Sequence, residues 1–198
     1  MTIPARLTVM LLLSVFSPAT ISATVDQSIN DENGLRGWHF RADNIEIELI
    51  QRLPDQTRAM LMKHRFSPAV IEQLAQSCMF QTIIRNISDA DSGQVVTIDQ
   101  SQWRIHHNGR EQGIMLKEPL LESWGVDDAD DAARLVVRWG MFPTRQEYLA
   151  SDYNWGLTAF GLPPGTRFDL DVSWGVGGVQ HTGRIPAIVC APDVDTLK

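Results

Sequence analysis

The chain has 198 residues, a formal net charge of −7 at pH 7 and no cluster of Lys or Arg. An electrostatic binder of nucleic acid or of anionic membrane is therefore excluded as a class. The length suits one domain with a sizeable core.

Arg6, the apolar run LTVMLLLSVF and the small residues SPATISA follow one another at the N-terminus. This is the three-part layout of a secretory signal peptide, so residues 1–23 are expected to be removed after Ala23. The run is about half the length that a membrane-spanning helix needs. The mature chain is expected to be periplasmic or secreted, with no stable membrane insertion. Residues 24–37, TVDQSINDENGLRG, are polar and aperiodic and read as a flexible lead-in to a single domain over 38–198. From Ile45, IEIELIQRL alternates between apolar and acidic residues and predicts a half-buried strand. Pro54 and the Ser67-Pro68 pair open two short helices, about 54–64 and 68–77, an insertion that delivers the chain to Cys78.

The pattern then turns to β. CMFQTIIRNI, QVVTI and QWRIHH read as short strands, with SDADSG and NGREQG as turns. GIMLKEP is expected as an edge strand and ESWGVDDADDA as an acidic loop. RLVVRWGMF is expected as a strongly apolar strand with Trp139 in the core. PTRQEYLASDYN reads as a long connection, and WGLTAF, RFDLDVSW and IPAIVC as the last strands. Many short strands separated by turns predict a mainly β sandwich or barrel. Of the two cysteines, Cys78 opens the second main strand in this reading and Cys190 closes the last. In an oxidising compartment the pair is expected to form a disulfide, worth roughly 4–5 kcal/mol for so long a loop.

GLPPGTRFDLDVSW, residues 161–174, resembles the segment entering the penultimate strand of fibronectin type III domains. Leu162, Pro164, Gly165 and Thr166 match that family's turn. Phe168 stands where Tyr is usual, and Leu170, Val172 and Trp174 continue the inward face. The resemblance implies an immunoglobulin-like or fibronectin type III-like sandwich, here with a two-helix insertion that is foreign to the family. It implies no function. It also places the start of the second strand and the end of the last at one pole, which suits a Cys78–Cys190 bond.

Motifs for catalysis are missing: no Gly-x-Ser-x-Gly, no His-Glu-x-x-His and no phosphate loop. Asp169 and Asp171 alternate on the solvent face of a strand, with no burial to separate their pKa values. The chain is therefore not expected to be an enzyme. Trp124, Tyr148, Tyr153 and Trp155 fall in predicted loops, where aromatic side chains anchor a partner. The expected function is to bind or assist another cell-envelope protein through them. The helical pair is a second candidate surface. Met60, Met62 and His64 are soft donors of the kind that handle periplasmic copper, although a helix turns Met62 about 200° from Met60. A polysaccharide-binding or polysaccharide-modifying role is the third reading. His106 and His107 are adjacent and point to opposite faces of a strand. The run Asp127, Asp128, Asp130, Asp131 lacks a calcium loop's glycine. Asn86-Ile87-Ser88 is an N-glycosylation sequon.

Overall fold

A computed structural model describes residues 23–193, so the expected signal peptide falls, Ala23 excepted, outside the described residues. The described chain opens with β1 (Thr24–Ile29) and β2 (Arg36–Arg41), an antiparallel pair. The polarity of 24–37 suggests a flexible lead-in. The structure corrects this: the segment carries an edge strand, exposed apart from Val25, which leans on the core. β3 (Ile45–Gln51) buries Ile45, Ile47 and Leu49, as its alternation predicts. α1 (Pro54–Leu61) and α2 (Pro68–Ala75) follow, each with proline at its start. The Ser67 hydroxyl oxygen accepts from the Val70 N–H and caps α2.

Cys78 leads into β4 (Met79–Asn86), the fourth strand rather than the second. β5 (Val96–Asp99), β6 (Arg104–His107) and β7 (Arg110–Gln112) come next. Then two expectations fail. The predicted edge strand at 113–119 gives way to α3 (Lys117–Ser123), which carries Pro119 in its first turn. The predicted apolar strand lies mostly in α4 (Asp131–Gly140). Asp130 caps that helix by accepting from the Ala133 N–H at 2.8 Å. Ala133, Val137 and Met141 then recur four apart and are buried. Trp139 consequently faces solvent, 81% exposed, and is no core residue. β8 (Arg145–Tyr148) lies within the predicted long connection, and β9 (Tyr153–Ala159), β10 (Arg167–Val176) and β11 (Val179–Val189) complete the chain.

The strands form two antiparallel sheets. The first runs β1-β2-β3-β4-β9. In the second, β10 pairs β11 along one edge. Its other edge takes β6 at Asp169–Asp171 and β5 at Trp174–Val176, so these two short strands lie end to end. β7 extends from β6 and β8 from β5. The Pro163–Thr166 turn and the alternating burial of Phe168, Leu170, Val172 and Trp174 agree with the turn and inward strand face expected there. Gly177 and Gly178, both at positive φ, make the two-residue turn into β11.

The two sheets enclose one core, in which Trp38, Phe40 and Phe80 meet Phe160, Phe168 and Trp174. Each such side chain contributes about 1.5–3 kcal/mol on burial. Cys78 and Cys190 are disulfide-bonded, with Cα atoms 5.2 Å apart, and tie β4 of the first sheet to the end of β11 in the second. A second core lies between the helices and the outer side of the first sheet. Leu61, Val70, Leu74, Leu120 and Val137 pack there on Met79, Leu157 and Ala159. β9 joins the helical core through Leu157 and Ala159, and Phe160 just beyond it enters the core between the sheets. Gly156 of β9 has no room for a side chain: a Cβ would lie 2.9 Å from the Phe142 backbone. Among the described residues no helix is long and apolar enough to cross a membrane.

Candidate functional site

The antiparallel register of the first sheet aligns its outward side chains in rows. One row reads Thr24, Arg41, Glu46, Arg85 and Tyr153, from β1 to β9. Its neighbour reads Asp26, His39, Glu48, Ile83 and Trp155. Glu46 is the hub. Arg41 Nη1 lies 2.8 Å, Arg85 Nη1 2.9 Å and His39 Nε2 3.2 Å from its carboxylate. Burial pushes the Glu46 carboxyl up, but His39 and Arg85 outweigh it and hold the group below its ordinary value. Arg85, fixed from one side by Glu46, places its guanidinium 5.9 Å from the Tyr153 ring centre.

Tyr153 and Trp155 are 65% and 63% exposed. They stand two apart on one face of β9, as a strand's period of two requires. β9 is also an edge strand, covered over only part of its length. Phe142 N–H donates to Leu157 O, and Met115 N–H to Ala159 O, closing the far half. Alternation turns the main-chain groups of Tyr153 and Trp155 toward the same edge, and no strand pairs there among the described residues. The Trp155 N–H is satisfied by Asn154 Oδ1 at 2.8 Å, and Asn154 Nδ2 donates to Gln146 Oε1 in β8. Two exposed aromatic side chains thus flank a short open edge held from behind by the second sheet. Leu149 is exposed in the turn that leads to them.

The other two aromatic residues expected at the surface are not there. Trp124 follows α3 and is buried in the helical core, edge-on to Phe66, with Nε1 donating to Gln73 Oε1. Arg134 fixes it further by donating to its carbonyl. Tyr148 lies between the sheets, where burial raises its hydroxyl pKa and that hydroxyl has no partner among the described residues. Tyr153 and Trp155 are strand residues, not loop residues. Trp139 is the exposed aromatic that sequence reasoning missed. The four-residue spacing of Ala133, Val137 and Met141 was the signal for the helix that exposes it.

The remaining candidates find separate surroundings. Met60 packs against the helical core with Sδ 3.9 Å from Arg52 Nη2, Met62 is exposed, and the His64 ring stands edge-on to Phe66. Among the described residues no group of three His, Cys, Asp or Glu side chains is placed to hold a metal ion. Asp171 takes two bonds from Arg184 and one contact from His106 Nε2 at 2.7 Å. Arg184 chiefly holds its carboxyl below the ordinary range, with His106 adding to the effect against burial. Asp169 accepts the Ala187 N–H across a bulge in β11. Asp128 and Asp130 cap backbone N–H groups. The Asn86 side chain is buried and donates to the carbonyls of Gln94 and Tyr148, so folding closes the sequon.

Comparison of the chain with protein-family models, with curated proteins and with solved structures found no match.

Proposed function

We propose that this is an exported, non-catalytic, fibronectin type III-like or immunoglobulin-like module that binds another cell-envelope protein through the outer face of β9. One observation carries the reading: Tyr153 and Trp155 stand side by side, both largely exposed, along an open half-edge of a sheet. Large aromatic side chains surrounded by polar groups are the usual anchors of protein interfaces. Arg85 and Glu46 hold Tyr153 in position beforehand, which lowers the ordering cost of binding. Apart from the Trp155 N–H, which Asn154 already satisfies, the main-chain groups of this edge offer a partner strand hydrogen bonds. The disulfide favours an oxidising compartment.

Crosslinking and pull-down from the native source test this reading. Wild type and Tyr148→Phe are expected to capture the same stoichiometric protein. Trp155→Ala is expected to lose it, at a cost of about 2 kcal/mol or more. Capture of that protein equally by Trp155→Ala, or of none by wild type, would remove the proposal.

A further inference from the structure

The outer face of the second sheet is a trough, and its chemistry differs from that of the β9 face. Two cross-strand rows form it. One passes from Glu147 through Thr97 and Gly175 to Gln180. The other contains the paired Ser173 and Thr182, with Asp99 and Arg145 paired beside them. Gly175 lies beneath the first row, where the lack of a side chain leaves room for those of Thr97 and Gln180. A Cβ there would press on the Thr97 hydroxyl and come within 3.1 Å of Gln180 Nε2. The hollow measures about 880 Å³. It continues through Gln102, Ser173 and Thr182 into a second hollow of about 380 Å³ that reaches Arg104 and Arg184.

We infer that this trough binds an uncharged oligosaccharide. The lining is made of groups that both donate and accept, or stand ready to do either: the hydroxyls of Thr97, Ser173 and Thr182 and the amides of Gln102 and Gln180. Thr97, Ser173, Gln180 and Thr182 have no side-chain hydrogen-bond partner among the described residues, so their capacity is unspent. A chain of sugar hydroxyls matches such a lining group for group. The charges on the lining largely cancel. Asp99 is paired with Arg145 at 2.9 Å, and Asp171 with Arg184. Neither an anion nor a cation is favoured. No aromatic or exposed aliphatic side chain lines either hollow, which disfavours a peptide held by apolar anchors. The aliphatic residues there, Ile98 and Val172, turn their side chains into the core. The volume lies in the range of pockets that take small organic ligands. Without an aromatic platform the affinity rests on hydrogen bonds and on the aliphatic stems of the lining side chains, and a weak complex is expected.

The test uses tetra-N-acetylchitotetraose and maltotetraose as probes, one with acetamido groups and one without. Each is titrated to about 10 mM into the isotope-labelled protein, disulfide intact, while amide resonances are followed. Saturable shifts are expected at Thr97, Ser173, Gln180 and Thr182 with at least one probe. The exposed substitutions Gln180→Ala and Thr182→Val should each weaken binding about fivefold, the usual effect of one lost hydrogen bond. Trp155→Ala should leave it unchanged, which separates this trough from the β9 face. Absence of saturable shifts with both probes overturns the inference, as do shifts that gather around Trp155 or that persist unaltered in the Gln180→Ala, Thr182→Val double variant.

Discussion

The two hydrophobic cores are sealed by different means. The core between the sheets is bounded by continuous strand ladders and crossed at its margin by the Cys78–Cys190 bond. The helical core has no covalent closure. Side chains hold its rim: Arg58 pairs with Asp55, Glu72 and Asp193, and Arg134 donates to four carbonyls from Leu121 to Ala129. The same chain thus builds one region that resists opening through its connectivity and another that resists it through packing and polar clamps. Local stability follows such differences, and the helical layer is the part that should open first.

Removing the disulfide gives the largest expected effect. A Cys78→Ser, Cys190→Ser variant should lose about 4 kcal/mol in chemical denaturation, with the sheet core affected directly. A loss below about 1 kcal/mol would break the distinction between the regions. Leu74→Ala should cost about 2–4 kcal/mol, because the side chain is buried in the helical core. Hydrogen exchange should then show lost protection in α1 through α4 while β2, β3 and β10 remain protected. Equal loss everywhere would mean that the cores open as one unit.

Acid sharpens the contrast further. Hydrogen bonds from Arg58 hold the Glu72 carboxyl below its ordinary value, and Arg58 is itself raised, first by Glu72 and then by Asp193. A carboxyl depressed in the folded state contributes stability that is full above its unfolded value of 4.5 and lost as pH falls through the folded one. Glu72 is half exposed, so water discounts its share to a few tenths of a kcal/mol. The helical layer should therefore loosen below about pH 4.5, and Arg58→Met should flatten that response. Amide exchange against pH checks it. The smallest effect belongs to Trp139→Ala. With its ring in solvent, stability should change by less than about 0.5 kcal/mol, and a larger change would show that α4 leans on something through that face.

The sheet core was the legible half of the sequence. In β3 and β10 the apolar residues alternate cleanly, because one face meets the core and the other meets water. The helical half was legible only in α1 and α2, where proline and serine mark the starts. α4 concealed itself. Leu135, Val136, Val137 and Trp139 crowd apolar and β-branched residues onto both sides of a short helix, and that composition imitates a buried strand. β1 was hidden for the opposite reason, since an edge strand with little to bury carries a loop's composition. Within the candidate site, the aromatic residues were visible but their sorting was not. Trp124 is drawn inward by contacts with Gln73 and Phe66, which come from a distant part of the chain, and is fixed there by the nearby Arg134. The trough left no mark in any single segment, because its rows are assembled from β5, β8, β10 and β11.

The sulfur bridge has a mechanical consequence as well. It closes a ring between residues separated by 112 positions. Force applied along the backbone from the two ends would strip β1, β2, β3, α1 and α2 and then reach Cys78. There it would cross to Cys190 and leave through the tail, bypassing everything between. Tyr153 and Trp155 lie inside that ring, and so does every residue of the trough. A molecule tethered at one end and gripped at the other would shed its first strands and helices as slack, Glu46 among them, while the segment that carries Tyr153, Trp155 and the trough bore no direct load.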